Sequence, residues 1–234
     1  MKLVFLDTET TGIDNARLIQ LSYQKFGDEI KTDPYNPGVP IEFGAMGTHH
    51  ITQAMVDKQK PFKGSEDSKT LQELLDGNVL VAHNSKFDMA VLKEEGVNTK
   101  WNICTMRIAK KYFDIDSYKL QALRYFFHLD LSLDEAKPHD AEGDVIVLVK
   151  VFEQLMDKVG HEAGLSDPAE ILKEMVKITN GPIEIRKFLF GKHRGETFEE
   201  VAKKDKSYLQ WLLKQQTGDD ADQDIIFTCN KFLK

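Results

Sequence analysis

Val4-Phe5-Leu6-Asp7-Thr8-Glu9-Thr10-Thr11-Gly12 opens the chain with an apolar run that ends in two carboxylates. The run reads as a buried strand, and residues two apart on a strand share a face, so Asp7 and Glu9 point the same way. Two like charges brought together out of water repel each other, and a divalent cation between them is the usual relief. A strand that simply ends in a polar turn accounts equally well for Gly12 and the threonines. Taken alone, the stretch leaves both readings open.

Working outward, residues 18–26 alternate as a second strand, closed by the turn Gly27-Asp28-Glu29. Pro34, Pro37 and Pro40 predict an irregular surface segment, and His49-His50-Ile51-Thr52 opens a helix capped by Thr52, with the histidines as substrate contacts at most. A short helix over 70–75 and a buried strand over 78–82 follow. The strand runs into His83-Asn84-Ser85-Lys86-Phe87-Asp88 and a helix that Gly96 stops. Asp88 therefore stands at a helix start after a central strand, a place that suits the helix dipole and also suits a site residue.

Helices are predicted over 103–113 and 120–127, where Arg107, Lys110, Lys111 and Lys119 either approach phosphates or form a solvated face. The stretch Lys137-Pro138-His139-Asp140-Ala141-Glu142-Gly143-Asp144 then opens an apolar helix over 145–155. A proline before an acidic first turn is a natural helix opening, but capping does not need four titratable residues in six positions.

Beyond Gly160 the character changes. Ser166-Asp167-Pro168 caps a helix to about Ile178, and a compact segment follows in which Phe188, Phe190, Phe198, Tyr208 and Trp211 alternate with cations. That mixture suits a nucleic-acid surface and suits a small core with a solvated rim equally. A last apolar run, Ile225-Ile226-Phe227, reads as a strand. The expected organisation is a main domain over 1–162, a linker helix over 163–181 and a small module over 182–234.

At 234 residues the chain can bury a full core and carry an appended module. A formal net charge of −7 argues against a binding protein with a broadly basic surface, though not against an enzyme whose metal ions neutralise its own acids and its substrate. Nothing approaches the ~20 apolar residues needed to span a bilayer. Cys104 and Cys229 lie far apart without metal-type spacing, so reduced thiols and a cytoplasmic location are expected.

Asp7, Glu9, Asp88 and Asp144 thus sit at strand ends and helix starts, which can converge in an α/β sheet. Four carboxylates without a Cys or His cluster favour hard, oxygen-loving ions. The ordered motifs around them resemble those of the DEDDh 3′-5′ exonucleases, the DnaQ-like branch of the ribonuclease-H-like fold. Phe5 to Gly12 matches the first motif, Ala82 to Asp88 the second, and His139 to Asp144 the third, with a histidine five before the last aspartate. The resemblance spans residues 2–156. A second and shorter likeness, over 190–202 and 205–213, is to the small carboxyl-terminal domain of exodeoxyribonuclease X-like proteins.

The resemblance implies a mixed central sheet flanked by helices, plus the small module. It implies a metal-dependent 3′-5′ exodeoxyribonuclease of DNA repair or proofreading that hydrolyses single-stranded or 3′-terminal DNA to nucleoside 5′-monophosphates. Asp7, Glu9, Asp88 and Asp144 become ligands of two Mg²⁺ ions, for which Mn²⁺ can substitute, and His139 becomes the general base. Thr8, Thr10, His50 and Asn84 become substrate contacts. An exoribonuclease acting on RNA, and a proofreading subunit bound to a polymerase, are the alternatives.

Overall fold

The computed structural model describes residues 2–132, 136, 138–218 and 221–234. Its centre is β1 (Leu3–Thr10), whose alternation sends Val4 and Leu6 into one apolar cluster and Phe5 into another on the opposite face. Antiparallel β2 (Leu18–Lys25) flanks it on one side and parallel β4 (Val79–Ala82) on the other. Antiparallel β3 (Lys31–Pro34) and parallel β5 (Trp101–Cys104) complete the order β3-β2-β1-β4-β5. This is the expected mixed sheet with helices on its faces.

Two strands depart from the expectation. The segment containing Pro34 was predicted to be irregular, yet β3 pairs from Lys31 to Pro34 at the sheet edge, where a missing amide donor is tolerated. Ile103 and Cys104, read as the start of a helix, close β5, and the helix α5 (Thr105–Tyr112) begins one residue later. A short apolar run has no period of its own to separate strand from helix.

Between the strands lie α1 (Phe43–His49), α2 (Gln53–Val56), α3 (Glu66–Leu75) and α4 (Ser85–Glu94), followed after β5 by α5 and α6 (Leu120–Phe126). The longest helix, α7 (Ala141–Ala163), continues past the predicted end at Leu155 and through Gly160. It buries Val145, Leu148, Val151, Phe152, Leu155 and Val159, and Phe152 meets Phe5 edge to face at 5.2 Å. Each such side chain withdrawn from water contributes ~1.5–3 kcal/mol, which is what seats α7 on the sheet. Within the stretch expected as a linker, α8 (Pro168–Asn180) buries Ile171, Met175 and Ile178 in the same cluster.

The final segment has its own core of Phe188, Phe198, Val201, Leu209, Leu212, Ile225 and Cys229, built from α9 (Phe198–Lys204), α10 (Lys206–Gln215) and α11 (Gln223–Leu233). The run Ile225-Ile226-Phe227 is therefore helix and not strand. Asp222 caps it by accepting from the amides of Asp224 and Ile225, and Ile225, Thr228 and Cys229 fall on one buried face at helical spacing. Arg107, expected to face phosphate or solvent, instead donates to both oxygens of Asp224 at 2.8 and 2.9 Å and to the Gly181 carbonyl at 2.6 Å. That paired fork ties the module to α5. Both cysteines are buried free thiols, and no helix among the described residues is long and apolar enough to cross a membrane.

Candidate active site

Pairing between β1 and β4 runs only from Leu3–Val79 to Phe5–Val81, so the carboxyl end of β1 continues beyond its parallel neighbour. The chain leaving β4 turns at Asn84, in the left-handed region with φ 66°, and enters α4, whose first turn carries Asp88 to that open edge. Ligands of open α/β sheets gather at the carboxyl ends of the strands, and the acids here do the same. On the other side the Gln20 side chain of β2 accepts from the Ala141 amide at 3.3 Å, holding the start of α7 and hence Asp144 against the sheet.

Asp7, Glu9 and Asp144 offer carboxylate oxygens that all lie within 4.8 Å of one another. Asp88 is 3% exposed and accepts from the Thr8 hydroxyl at 2.9 Å. Asp144 accepts from Gln121 Nε2 at 2.6 Å. Asp140 stands at the N-cap of α7, and His139 just before it is exposed with φ 58°. That left-handed residue explains why the helix opens at Ala141 and not at the proline.

The electrostatics are those of an uncompensated acidic site. Burial, reinforced by Asp88, Asp144, Glu9 and Asp140, holds the Asp7 carboxyl well above its usual range. Burial and then Asp144, Asp140 and Asp88 push Glu9 up to about 8. Asp88 is raised by burial to about 7 although its bond from Thr8 acts in the other direction. Burial raises Asp144 too, against the opposing effects of Gln121 and His139. Every group acting on Asp7 and Glu9 is another carboxylate. A cluster of partly buried carboxylate oxygens, with only other carboxylates acting on Asp7 and Glu9 among the described residues, is a hard-oxygen donor set that fits a divalent ion better than a thiolate or imidazole set would.

The predicted substrate contacts are placed as follows. Thr8 is buried and its hydroxyl is spent on Asp88, while Thr10 donates to the Gly12 carbonyl at 2.8 Å. Asn84 is exposed at the N-cap of α4, and His50 is an exposed left-handed cap at the end of α1. Its neighbour His49 is buried, accepts the Ile51 amide on Nδ1 at 3.0 Å, and has a solvent-excluded Nε2 with no partner. Burial lowers its pKa, and it stands beside the Thr10 main chain. Sequence reading had no signal to rank His49 above His50, because only the chain reversal after α1 decides which ring turns inward. Asp140 and Gln121 were likewise missed as members of the site.

Beyond β1 the Glu42 amide donates to the Thr11 carbonyl at 2.8 Å, and the Glu42 carboxylate lies over Gly12. His83, in the second motif, is structural: its ring bridges Thr105 Oγ1 at 2.9 Å and the Tyr118 carbonyl at 2.8 Å, and burial lowers its pKa to about 4.

Comparison with known proteins follows the same division of the chain. Residues 188–216 match the family described as exodeoxyribonuclease X-like C-terminal. Exodeoxyribonuclease 10 of Escherichia coli (strain K12) is 29% identical over 99% of this chain and 99% of its own length. DNA polymerase III subunit epsilon of Buchnera aphidicola subsp. Acyrthosiphon pisum is 28% identical, spanning 79% of this chain and 84% of that protein. Among solved structures, exonuclease X in complex with 5′ overhanging duplex DNA superposes over 76% of this chain and 99% of that one, with a TM-score of 0.59 at 23% identity. Exonuclease I gives 0.55 at 16% identity over 74% of this chain and 42% of that one, and these likenesses establish the shared fold. Residues 4–152 match the model described as Exonuclease, a span that holds all four acids and His139, and the chain therefore belongs to the exonuclease family.

Proposed function

We propose that this exonuclease hydrolyses DNA stepwise from 3′ ends, releasing nucleoside 5′-monophosphates, with two Mg²⁺ ions for which Mn²⁺ can substitute. The observation that carries the reading is the convergence of carboxylate oxygens of Asp7, Glu9 and Asp144 within 4.8 Å of one another. Asp7 and Glu9 from β1, Asp144 from α7 and Asp88 from α4 would hold the ions, Asp7 serving both. When bound, such ions neutralise the acids and the scissile phosphate together and make the attacking water more acidic. The exposed His139 imidazole accepts the proton of that water, which is the part of the reaction the protein must supply itself. Thr10, His50 and Asn84 line the approach of the terminal nucleotide. His49, buried beside the Thr10 main chain, supports that strand end, and Thr8 serves by holding Asp88.

Support for DNA comes from the end-to-end correspondence with exodeoxyribonuclease 10 and from the exodeoxyribonuclease X-like module, which also favours a stand-alone repair enzyme over a polymerase subunit. The module's aromatics divide between two tasks. Phe188 and Phe198 stack in its core at 3.9 Å, whereas Phe190 and Trp211 remain outside. Lys192, Lys203 and Lys204 are each paired with an acid of the module, whereas the exposed Arg194, Lys206 and Lys214 join the exposed rings as groups that can meet a strand.

The test is release of mononucleotides from matched 3′-labelled single-stranded DNA, duplex DNA and RNA, with Mg²⁺ and with chelator. Chelator-sensitive digestion of both DNA substrates, with RNA slower, is expected. Equal or faster digestion of RNA overturns the substrate assignment, and undiminished activity in chelator overturns the metal assignment.

A further inference from the structure

Asp144 and His139 lie on the same short piece of chain and the His139 main chain meets the Asp144 carboxylate directly, and a third element holds both. Gln121 on α6 donates through Nε2 to Asp144 Oδ1 at 2.6 Å, and its Oε1 accepts from Arg124 Nη1 at 3.4 Å. Arg124, one turn further along α6, is 2% exposed. Its guanidinium donates to the carbonyls of Ala136 at 2.9 Å and Ser132 at 3.1 Å, and to that of Leu131. These carbonyls belong to the stretch that leads from α6 into His139. Leu120 and Leu123 anchor α6 in the main core, and Ala136 is itself buried in that cluster. One rigid helix thus grips the carboxylate of Asp144 with one side chain and the chain before His139 with another.

We propose that Gln121 and Arg124 are positioning residues that set His139 relative to the acidic site: Gln121 orients Asp144, and Arg124 fixes the path on which His139 is carried. The inference rests on reading Asp144 as a metal ligand and His139 as the general base. The residue types suit the tasks. A neutral amide donor orients the carboxylate of Asp144 without adding a charge that would compete with a cation. A planar guanidinium holds several carbonyls in one fixed geometry, which the freely rotating ammonium of a lysine does not. Nothing in the linear sequence distinguishes Arg124 from a helix-terminal cation beside the exposed Tyr125.

The experiment is a double-mutant cycle on the full chain, with melting temperatures to confirm folding. Arg124→Lys is expected to lower kcat by ~10- to 100-fold with KM for an oligonucleotide unchanged, the scale of a misplaced reacting group. Placed in the His139→Ala background it should cost nothing further, because both act on the same step. Gln121→Leu should instead weaken Mn²⁺ binding, followed by calorimetry, by ~10-fold, as loss of a partner behind a metal ligand does. Costs of Arg124→Lys and His139→Ala that multiply overturn the positioning role of Arg124, and unaltered Mn²⁺ affinity in Gln121→Leu overturns that of Gln121. The underlying reading fails separately, if His139→Ala alone retains the wild-type rate or if the wild-type protein binds no Mn²⁺.

Discussion

The chain holds two concentrations of carboxylates, and they are built on opposite principles. At the end of β1, Asp7, Glu9, Asp88 and Asp144 are buried against one another and all titrate above their ordinary range. In the carboxyl-terminal module, Asp205 accepts from Lys192 at 2.6 Å, with Ser207 and His193 alongside, and is held below the usual carboxylate range. Glu196 is lowered by Lys204 and His193, and Glu199 by Lys203. The module's acids already have their partners, and their work is to fasten a small core. Asp7 and Glu9 have no such partner among the described residues, and Asp88 and Asp144 accept only from the neutral side chains of Thr8 and Gln121, so the fold pays for them and recovers the cost only when a cation arrives.

The contrast is broken or sharpened most strongly at Asp7. Asp7→Ala should reduce metal-dependent mononucleotide release to below ~1% of wild type, since it removes a shared ligand. Asp205→Asn should leave kcat on short oligonucleotides within about twofold, its partners being structural. A wild-type rate for Asp7→Ala would erase the distinction. His139→Ala should lose ~10²- to 10⁴-fold in rate, as expected for a general base, while binding Mn²⁺ as the parent does. Loss of Mn²⁺ binding in that variant would move His139 from proton acceptor to ligand.

Stability offers the next contrast. In chelator, Asp7→Asn should melt higher than the wild-type protein by several degrees, because it removes a carboxyl that must either ionise beside other carboxylates or hold a proton the unfolded chain releases, yet be inactive. Added Mg²⁺ should raise the melting temperature of the wild type and leave that of the variant nearly unmoved. Equal responses to Mg²⁺ would mean that the ion binds elsewhere.

The pH dependence carries the sign of each cluster. Glu9 titrates near 8 and Asp88 near 7 in the folded chain, against ordinary values of about 4, so over this window the folded protein holds protons that the unfolded chain has lost. The metal-free protein therefore loses stability as pH rises from 6 to 8.5, by roughly 5 °C in melting temperature. For the lowered Asp205 the sign reverses: its contribution is complete above its unfolded value near 4 and disappears only as pH falls through its folded one. Trp211 fluorescence during acid titration follows the module, and a transition above pH 5 would contradict the pairing of Asp205. This last effect is the smallest, because the group is exposed and solvent screens it.

Much of the catalytic half is legible before any coordinates. The i, i+2 spacing of Asp7 and Glu9 dictates their common face, since strand periodicity is local, and Asp88 follows from a strand running into a helix start. The carboxyl-terminal run Ile225-Ile226-Phe227 is the counterexample: its composition suits a strand, and only the cap at Asp222 and the packing on α9 and α10 make it a helix. The same holds for Ile103 and Cys104, which become strand because β4 supplies a hydrogen-bonding edge.

What the sequence alone determined, therefore, is the set of chemical groups and their local phase: which acids share a strand face and which stand at helix starts. Tertiary structure decided everything that depends on approach across the chain. It turned His49 inward and left His50 outside, spent Thr8 on Asp88, locked Arg107 to Asp224, and set Gln121 and Arg124 behind Asp144 and His139. The reason is one of range. Dihedral preference and periodicity act over a few residues and can be read along the chain, whereas burial and partner choice arise between residues tens of positions apart and exist only once the sheet has brought them together.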